Sequence, residues 1–258
     1  MSLRNAIKDK LKILKEEYGV LSIKAEFEAE GTRKDELIIL REFVYEANLG
    51  MIIKIGGCEA VRDLEECKLL DATGVMAPMI ETPFAMQKFK KAFVKVFGES
   101  AKLERIINAE TKTCLQYFDE ILHEGKGFLT GITVGRSDLS ASMGIDRADI
   151  ESSPIFAATS LFMQRARRDG LVCNFGGNIG AQSVPFIQKI HPLADRFETR
   201  KVVMPAGTDE IRLKKTIYHA IEFEKEYLQF KAEYYNLMAN EDSERILRLE
   251  NQLELLKG

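Results

Sequence analysis

The chain has 258 residues, of which 45% are hydrophobic and 30% charged, and its 37 basic and 40 acidic residues leave a net charge of −3. This weak charge excludes a global attraction to nucleic acid or to an anionic membrane surface. No apolar run approaches the roughly 18 residues that a membrane span needs, and the N-terminus has no apolar signal core. We therefore expect a cytoplasmic protein with one large core and with no nucleic-acid or membrane partner.

Short apolar strands alternate with amphipathic helices along most of the chain. The hydrophobic pattern predicts helices over 4–18, 35–48, 60–71, 84–97, 113–122, 154–168 and 184–190. It predicts strands over 23–30, 51–55, 75–80, 105–109, 132–134, 171–175 and 196–203. This order, with glycine at many helix ends, is typical of right-handed βαβ units around a parallel sheet.

Polar or glycine residues follow successive predicted strands, and they favour a closed barrel. These residues are Gly56, Glu81, Glu110, Asp138 and Asn178. In a barrel such positions converge on one mouth, whereas an open sheet spreads them along an edge. We therefore predict an α/β fold, a (β/α)₈ TIM barrel over residues 1–208. Only seven strands are found, so an eighth lies near the N-terminus or the sheet is open.

Residues 209–258 differ from the barrel pattern and predict an extended C-terminal helical segment. A helix over 209–239 carries one apolar stripe, and a break at 240–243 leads to a second helix with heptad spacing. The stripe is Leu213, Ile217, Ile221 and Leu228, and the heptad residues are Ile246, Leu249, Leu253 and Leu256. Two heptads are too few for a convincing coiled coil. The segment packs on its own barrel or on a partner subunit, and we expect a homo-oligomer.

Residues 131–144 form the stretch with the most chemical content. Ile132 and Val134 read as a buried strand that breaks at Gly135 and is followed by Asp138 among serines. A carboxylate after a buried strand is typical of a site at the mouth of a barrel, although Asp138 or Ser137 as a helix N-cap fits as well. Free backbone N–H groups at such a turn can hold an anion.

Glu110 and Asp138 follow consecutive strands, 28 residues apart. Neighbouring strands lie about 5 Å apart, so both carboxylates can reach one ion. Carboxylate oxygens suit a hard divalent cation, Mg²⁺ or Mn²⁺. Zinc is not expected, because the scattered cysteines form no C-x-x-C pair and the three histidines lie away from the strand ends.

Three glutamates alternate along the first predicted strand, at Glu26, Glu28 and Glu30. Burying three unpaired carboxylates on one face is too costly, so this face is either solvated or turned into a polar cavity. Both interpretations remain open at this point.

The motifs Ala109-Glu110-Thr111 and 134–144, V-G-R-S-D-L-S-A-S-M-G, resemble the HpcH/HpaI aldolase and citrate lyase beta-subunit superfamily. Pro78-Met-Ile-Glu81-Thr82 resembles the preceding strand end of the same family. The resemblance is strongest over 52–144, weaker up to residue 203, and absent in the C-terminal helices.

The resemblance implies a (β/α)₈ barrel in which Glu110 and Asp138 hold Mg²⁺ or Mn²⁺ and a 2-oxo acid such as pyruvate binds the metal. Backbone N–H groups of the loop over 135–139 can hold the substrate carboxylate; the loop residues are Gly135, Arg136, Ser137 and Leu139. Asn178, which follows a glycine pair, either reaches the ligand or is a structural turn residue. The family's carbonyl-polarising arginine corresponds here to Lys54, a point charge without a bidentate fork.

A second departure from the family pattern concerns the catalytic base. The stretch that matches the family's acidic strand end and histidine contains Glu26 and Glu28 but no histidine. Either glutamate can serve as the base if burial near the metal tunes its pKa.

Three functions remain in view. The first is a metal-dependent carbon–carbon lyase of the aldolase type, acting on a small 2-oxo acid such as a 4-hydroxy-2-oxo acid that releases pyruvate. The second is a citrate lyase or malyl-CoA lyase-like enzyme acting on an acyl-CoA or acyl thioester. The third is a non-catalytic barrel that works as a binding or assembly protein. Lys54 in place of arginine and the missing histidine favour this third function.

Overall fold

The computed structural model describes the backbone of residues 2–256, and the side-chain surroundings of residues 2–236 and of Ile246. Within these residues, the strands close into a barrel in chain order. They are β1 (Ser22–Glu26), β2 (Gly50–Lys54), β3 (Gly74–Ala77), β4 (Glu104–Ala109), β5 (Gly131–Gly135), β6 (Val172–Gly176), β7 (Arg196–Glu198) and β8 (Val202–Pro205). The expectation of a (β/α)₈ TIM barrel is confirmed.

Helices surround the barrel and connect its parallel strands. They are α1 (Leu3–Glu16), α2 (Lys34–Glu46), α3 (Val61–Leu69), α4 (Pro83–Phe97), α5 (Lys112–Gln116), α6 (Phe118–Gly125), α7 (Arg136–Met143), α8 (Ser153–Arg168), α9 (Val184–Ile190) and α10 (Glu210–Leu256). Two short 3₁₀ turns, Arg147–Asp149 and Ala181–Ser183, follow α7 and precede α9. None of the helices in the described part of the chain combines the length and the hydropathy required to cross a bilayer.

The eighth strand does not lie near the N-terminus: the last two strands in the sequence, β7 and β8, form a hairpin. The prediction of one strand over 196–203 was wrong, because the chain turns at 199–201 and returns as β8, antiparallel to β7 and to β1. The Thr199 side chain accepts a hydrogen bond from the backbone N–H of Val202 at 3.1 Å and helps to close the turn. The sequence hides this turn because it contains neither glycine nor proline.

Strand β1 ends earlier than its alternating pattern suggests. The predicted strand over 23–30 stops at Glu26, and Glu28 and Glu30 lie in the following loop. Glu30 forms ion pairs with Lys201 and with Arg200 of the β7–β8 turn. The three glutamates therefore do not share one strand face, and each has a different environment.

The barrel interior changes from apolar to polar along its axis. Near its base, Ile52, Met76, Ile106 and Val203 form a buried cluster of their own. Two residues further along β2 and β4, the inward positions are polar: Ile52 is followed by Lys54, and Ile106 by Asn108. The polar half of the barrel therefore opens at the carboxyl ends of the parallel strands.

Helix α10 packs on its own barrel through its first half. Its buried residues include Leu213, Ile217, Phe223 and Tyr227, while Ile221 and Leu228 of the predicted stripe are exposed. The predicted break at 240–243 is also wrong, since α10 continues to Leu256. Among the four heptad residues only Ile246, which is exposed, has described side-chain surroundings. The side chains of Leu249, Leu253 and Leu256 lie outside the described set, and a homo-oligomer stays a prediction.

Candidate functional site

A cavity of about 340 Å³ opens at the carboxyl ends of the parallel strands. Charged and polar side chains from five strands and from the segments that follow strands line it: Lys24, Glu26, Lys54, Asn108, Glu110, Thr133, Ser137, Asp138, Arg147, Asn178, Glu198, Thr199 and Arg200. Barrel enzymes bind their substrates at this end. The structure thus brings Glu26, Lys54, Glu110, Ser137, Asp138 and Asn178, all predicted from the sequence, to one cavity together with Gly135.

Glu110 follows β4 and is almost fully buried in the cavity wall. Its carboxylate accepts a hydrogen bond from the backbone N–H of Met79 at 3.1 Å and another from the side-chain amide of Asn108 at 2.8 Å. Burial raises the pKa of Glu110, and nearby Asp138 raises it further, while Lys54 and the two hydrogen bonds oppose the shift. The carboxylate is thus fixed in position but is short of compensating positive charge.

Met79 holds its N–H toward Glu110 from an unusual backbone conformation, with φ at 51°. Left-handed conformations are costly for residues other than glycine and often occur at functional sites. The prediction of a strand over 75–80 was therefore too long, since β3 ends at Ala77 and the chain turns toward the site.

Asp138 lies in the first turn of α7, which begins directly after β5. The predicted loop at 135–139 is therefore the start of a helix. The Asp138 side chain is exposed to the cavity, and no described residue forms an ion pair with it. Asp138 and the buried Glu110 thus bring two carboxylates to one wall from adjacent strands.

Gly135 leaves the space that the Glu110 carboxylate occupies. A Cβ atom at Gly135 would lie 2.6 Å from Glu110 Oε2, too close for any real contact, and 3.0 Å from Glu110 Cβ, which is tight. Any larger residue at the end of β5 would therefore force the Glu110 carboxylate to move.

Gly177 has a similar relationship to the N-terminus of α7. Its φ is 97°, and a Cβ atom there would lie 2.7 Å from the backbone nitrogen of Ser137 and 3.1 Å from that of Arg136. These are the first N–H groups of the helix, which have no partner within it. Only glycine therefore allows the backbone after β6 to pass this close to the start of α7.

Lys54 and Glu26 form the second charged group of the cavity. They are paired in register across β2 and β1, and Lys54 Nζ lies 3.1 Å from Glu26 Oε1. Both side chains are mostly buried. The positive charge of Lys54 also lowers the pKa of Glu110, against the larger effect of burial, so Lys54 acts on carboxylates of both β1 and the segment after β4.

A third group, Lys24 and Glu198, was missed by the sequence interpretation. The buried Lys24 ammonium forms an ion pair with Glu198, whose other oxygen accepts a hydrogen bond from the Asn174 amide at 2.5 Å. The Asn174 amide also donates to Thr133 at 3.1 Å. Lys24 lies two residues before Glu26 on the same inward face of β1, and this period of two was the available signal.

The side chains of three predicted site residues do not line the cavity. The Arg136 guanidinium is fully buried and binds Glu151 and the carbonyl oxygens of Gly176 and Gly177, so this side chain supports the turn, and a substrate contact from Arg136 falls to its backbone N–H. The Leu139 side chain is part of the hydrophobic core. Glu28 is exposed outside the cavity lining, because β1 ends before it.

Two arginines at the cavity rim were also not anticipated. Arg147 comes from the 3₁₀ turn after α7, and Arg200 from the turn between β7 and β8. Neither position follows a strand in a way that the sequence pattern marks. Within the described residues, no group of three His, Cys, Asp or Glu side chains is arranged to hold a metal ion, so a metal here would rest on the two carboxylates of Glu110 and Asp138.

The fold and the site define an α/β-barrel protein with an acidic and basic pocket at the carboxyl ends of its strands. The model of the HpcH/HpaI aldolase/citrate lyase family matches residues 37–175, more than half of the sequence, and the chain belongs to this family. The family comprises enzymes of the aldolase and citrate lyase type, and the resemblance noted in the sequence is thereby confirmed. Comparison with curated proteins gives no match.

Solved structures share the fold at low sequence identity. An HpcH/HpaI aldolase from Desulfitobacterium hafniense DCB-2 has a TM-score of 0.63 at 16% identity, over 74% of this chain and 81% of that chain. A family protein from Burkholderia cenocepacia J2315 has a TM-score of 0.61 at 14% identity, over 74% and 82%. A variant of the citrate synthase SbnG has a TM-score of 0.58 at 12% identity, over 84% and 89%. These likenesses show the common barrel.

Proposed function

We propose that the protein is a divalent-metal-dependent carbon–carbon lyase of the aldolase type. Its substrate would be a small 2-oxo acid, such as a 4-hydroxy-2-oxo acid that releases pyruvate and an aldehyde. The observation that carries the proposal is the convergence of Glu110, Asp138 and Lys54 on one cavity at the start of α7. Family membership supports the reaction class.

Glu110 and Asp138 are the residues that would hold Mg²⁺ or Mn²⁺, and their surroundings fit such an ion. Both supply hard oxygen donors, and Gly135 keeps the space beside the Glu110 carboxylate free of a side chain. A divalent cation would offset the repulsion and the burial that raise the pKa of Glu110. When bound, such a cation supplies Lewis-acid polarisation of a 2-oxo group.

The N-terminus of α7 would hold the carboxylate of the substrate. Ser137 and Asp138, in the first turn of α7, line the cavity, and the first N–H groups of a helix have no partner within it. An anion at a helix N-terminus gains hydrogen bonds and a favourable interaction with the helix dipole. This places the 2-oxo end of the substrate next to Asp138 in the same turn of α7.

Glu26 would act as the general base, and Lys54 would stabilise the negative charge that develops on the substrate. Glu26 removes the proton of the 4-hydroxyl group, the bond between C3 and C4 breaks, and the aldehyde leaves. The electron pair passes toward the 2-oxo group, where the Lys54 ammonium compensates the developing charge. Return of a proton to C3 then gives pyruvate. The ion pair between the two side chains holds both in place before the substrate binds.

The size of the cavity supports a small substrate. At about 340 Å³ it lies near the lower end of the range for ligand pockets. An acyl-CoA substrate needs a further cleft for its nucleotide, so the free oxo acid is the better-supported choice.

The first test is a thermal melt with Mg²⁺ or Mn²⁺, with and without oxalate, on wild type and Asp138→Ala. A ligand that binds only the folded state raises the melting temperature by mass action. We expect oxalate to stabilise the wild type only when the metal is present, and Asp138→Ala to abolish this effect. The exposed Asp119, far from the cavity, supplies the matched control Asp119→Ala.

Turnover then separates an enzyme from a binding protein. Pyruvate release from 4-hydroxy-2-oxo acids, stopped by EDTA and restored by Mg²⁺, is the expected result. Metal-dependent oxalate binding without turnover of any oxo acid favours the non-catalytic barrel. If neither metal nor oxalate changes the melting temperature, the lyase proposal fails.

A further inference from the structure

The proposed cleavage needs a proton for C3 of the enolate that remains when the aldehyde leaves. Glu26 has by then taken the proton of the 4-hydroxyl group, and Lys54 compensates the charge at the 2-oxo group. The Lys24 side chain also lines the cavity and has no part in these steps. Lys24 is therefore a buried acid that is available for the remaining step.

Lys24 lies on the wall of the barrel that faces the proposed metal ligand Asp138. It precedes Glu26 by two residues on β1, so both side chains point inward from one strand. In the closed order of the strands, β1 is four strands from β5 in either direction, and β5 leads into the turn of α7 that carries Asp138. A substrate held by its 2-oxo end near Asp138 therefore presents its next carbon atoms to the β1 wall.

Glu198 fixes the Lys24 ammonium and leaves part of it free. Glu198 is itself buried, and its second oxygen accepts a hydrogen bond from the Asn174 amide. An ammonium group has three N–H donors, and among the described residues only Glu198 accepts a hydrogen bond from Lys24 Nζ. The Lys24 side chain is 11% exposed and lines the cavity. Two N–H groups are therefore left for a molecule bound there.

The charges around Lys24 keep it protonated at neutral pH, as a general acid has to be. Burial lowers the pKa of Lys24, but Glu198, through its charge and its hydrogen bond, outweighs this effect together with Glu26 and Glu30. The pKa therefore lies above its ordinary value of 10.5. Further charged side chains act on the same region: Glu224 of α10, and Arg200 and Lys201 of the β7–β8 turn.

We propose that Lys24 is the general acid that gives the proton to C3. This inference rests on the proposed function, because it concerns the last step of the same cleavage. The electron pair at C3 takes a proton from Lys24 Nζ, the N–H bond breaks as the C–H bond forms, and a neutral amine remains. Glu26, which holds the proton of the 4-hydroxyl group, then passes that proton to the amine. Both side chains regain their charges, and the reaction needs no other source of protons.

The protonation step can be observed by itself, as the exchange of the methyl protons of pyruvate in D₂O with Mg²⁺. The neutral Lys24 amine removes a proton from C3, and the ammonium group returns deuterium that it has gained from the solvent. Proton NMR measures the exchange. We expect its rate in the wild type to rise from about pH 7 to about pH 9, because the neutral fraction of a lysine grows over this range. A carboxylate base would give a constant rate there.

Lys24→Arg separates the proton from the charge. Arginine keeps a cation beside Glu198, but its guanidinium stays protonated and cannot exchange a proton with C3. We expect the exchange to fall by about 10²-fold or more, the usual contribution of general acid–base catalysis, while oxalate with Mg²⁺ still stabilises the variant. The matched control is Lys102→Arg, at an exposed lysine before β4, and should exchange like the wild type. If Lys24→Arg does not fold, Lys24→Met/Glu198→Gln takes its place with the same expectation.

Cleavage of the hydroxy acid provides a second readout. In Lys24→Arg the aldehyde should still form rapidly in the first turnover, because Glu26 still removes the hydroxyl proton, whereas the release of pyruvate becomes slow. A burst of aldehyde followed by slow turnover is the expected result. A purely structural role of Lys24 would slow both phases together.

Each alternative result has a distinct meaning. Wild-type exchange in Lys24→Arg, or a rate in the wild type that does not depend on pH, overturns the inference and leaves the proposed function standing. The inference is also overturned if the wild type cleaves the hydroxy acid but does not exchange the protons of pyruvate. If the wild type does neither with Mg²⁺, the proposed function fails and the inference fails with it.

Discussion

Glu26 and Lys54 lie directly opposite each other on β1 and β2, and their side chains form an ion pair of 3.1 Å inside the barrel mouth. The pairing joins the acidic end of one strand to the basic end of the next. It also holds the Lys54 ammonium near Glu110, on which its charge acts. Adjacent strands thus fix the two residues to which the proposed reaction assigns the base and the stabilising charge.

Removing the positive charge at Lys54 should slow the proposed reaction strongly. We expect Lys54→Met to lower kcat for pyruvate release by about 10²–10³, the usual effect of deleting one charge-stabilising donor. Lys54→Arg keeps the charge and should retain more activity than Lys54→Met. Steady-state kinetics with Mg²⁺ measures both variants, and near wild-type kcat in Lys54→Met would exclude the assigned role.

Removing one partner of the Lys24–Glu198 pair should destabilise the fold more than replacing both partners. Both side chains are buried, and Lys24→Met leaves the Glu198 carboxylate without its cation. Breaking a buried pair from one side costs about 3–5 kcal/mol of the free energy of unfolding. The double variant Lys24→Met/Glu198→Gln should recover part of this loss, because neither side chain of the pair is then charged and Asn174 keeps an acceptor.

Urea denaturation at neutral pH measures these effects. The matched control is Lys214→Met, which removes the lysine of an exposed i,i+4 pair with Glu210 and should cost less than about 0.5 kcal/mol. A double variant that is less stable than Lys24→Met alone would contradict the explanation.

Much of this architecture can be predicted from the sequence, because the alternation of strands and helices and the residues at strand ends can be recognised in short stretches of sequence. The pair of Glu110 and Asp138 follows from strand order alone. The β7–β8 hairpin cannot be predicted this way, since its turn is closed by Thr199 and not by glycine or proline. Arg136 illustrates another limit, because it follows the site glycine in sequence while its side chain turns away into the core.

The other site residues that the sequence did not predict interact with partners that are distant in the chain. Lys24 and Glu198 are 174 residues apart and meet only because the barrel closes. The rim arginines depend on how two turns fold over the mouth, which no periodic pattern encodes. The register between neighbouring strands, which the residue types do not reveal, determines which charged side chains of the cavity form ion pairs.

Adding one methyl group at Gly135 should disrupt the metal side of the cavity. Gly135→Ala places a Cβ atom 2.6 Å from Glu110 Oε2, so the carboxylate has to move. We expect the Mg²⁺-dependent stabilisation by oxalate to be lost in thermal melts. Gly57→Ala is the matched control, because a Cβ atom at that position meets nothing within 4 Å. Retained oxalate binding in Gly135→Ala would exclude Glu110 as a ligand in its present position.

The raised pKa of Glu110 gives a prediction for stability as a function of pH in EDTA. Burial raises this pKa above its ordinary value of 4.5. Between the ordinary pKa and the raised one, the folded state binds a proton that the unfolded chain has lost. The contribution of Glu110 to the free energy of unfolding is therefore complete below the ordinary pKa and is lost as pH rises through the raised pKa.

Glu110→Gln should remove the loss of folding stability that accompanies ionisation of Glu110 at rising pH, because glutamine stays neutral. At neutral pH in EDTA we expect this variant to be more stable than the wild type, and the difference should shrink as the pH falls toward 4.5. The buried Oδ1 atom of Asn108 has no partner among the described residues, so its amide can rotate to accept the new NH₂ group. Urea denaturation over this pH range, with the exposed Glu65→Gln as control, provides the measurement.

Adding Mg²⁺ should reverse the order of the two proteins at neutral pH. The cation stabilises the ionised Glu110 of the wild type and competes with its proton, so the gain should diminish as the pH is lowered. Glu110→Gln lacks this ligand charge and should gain little from the metal. If Mg²⁺ stabilises wild type and Glu110→Gln equally, the ion binds elsewhere, and Glu110 is a buried structural carboxylate.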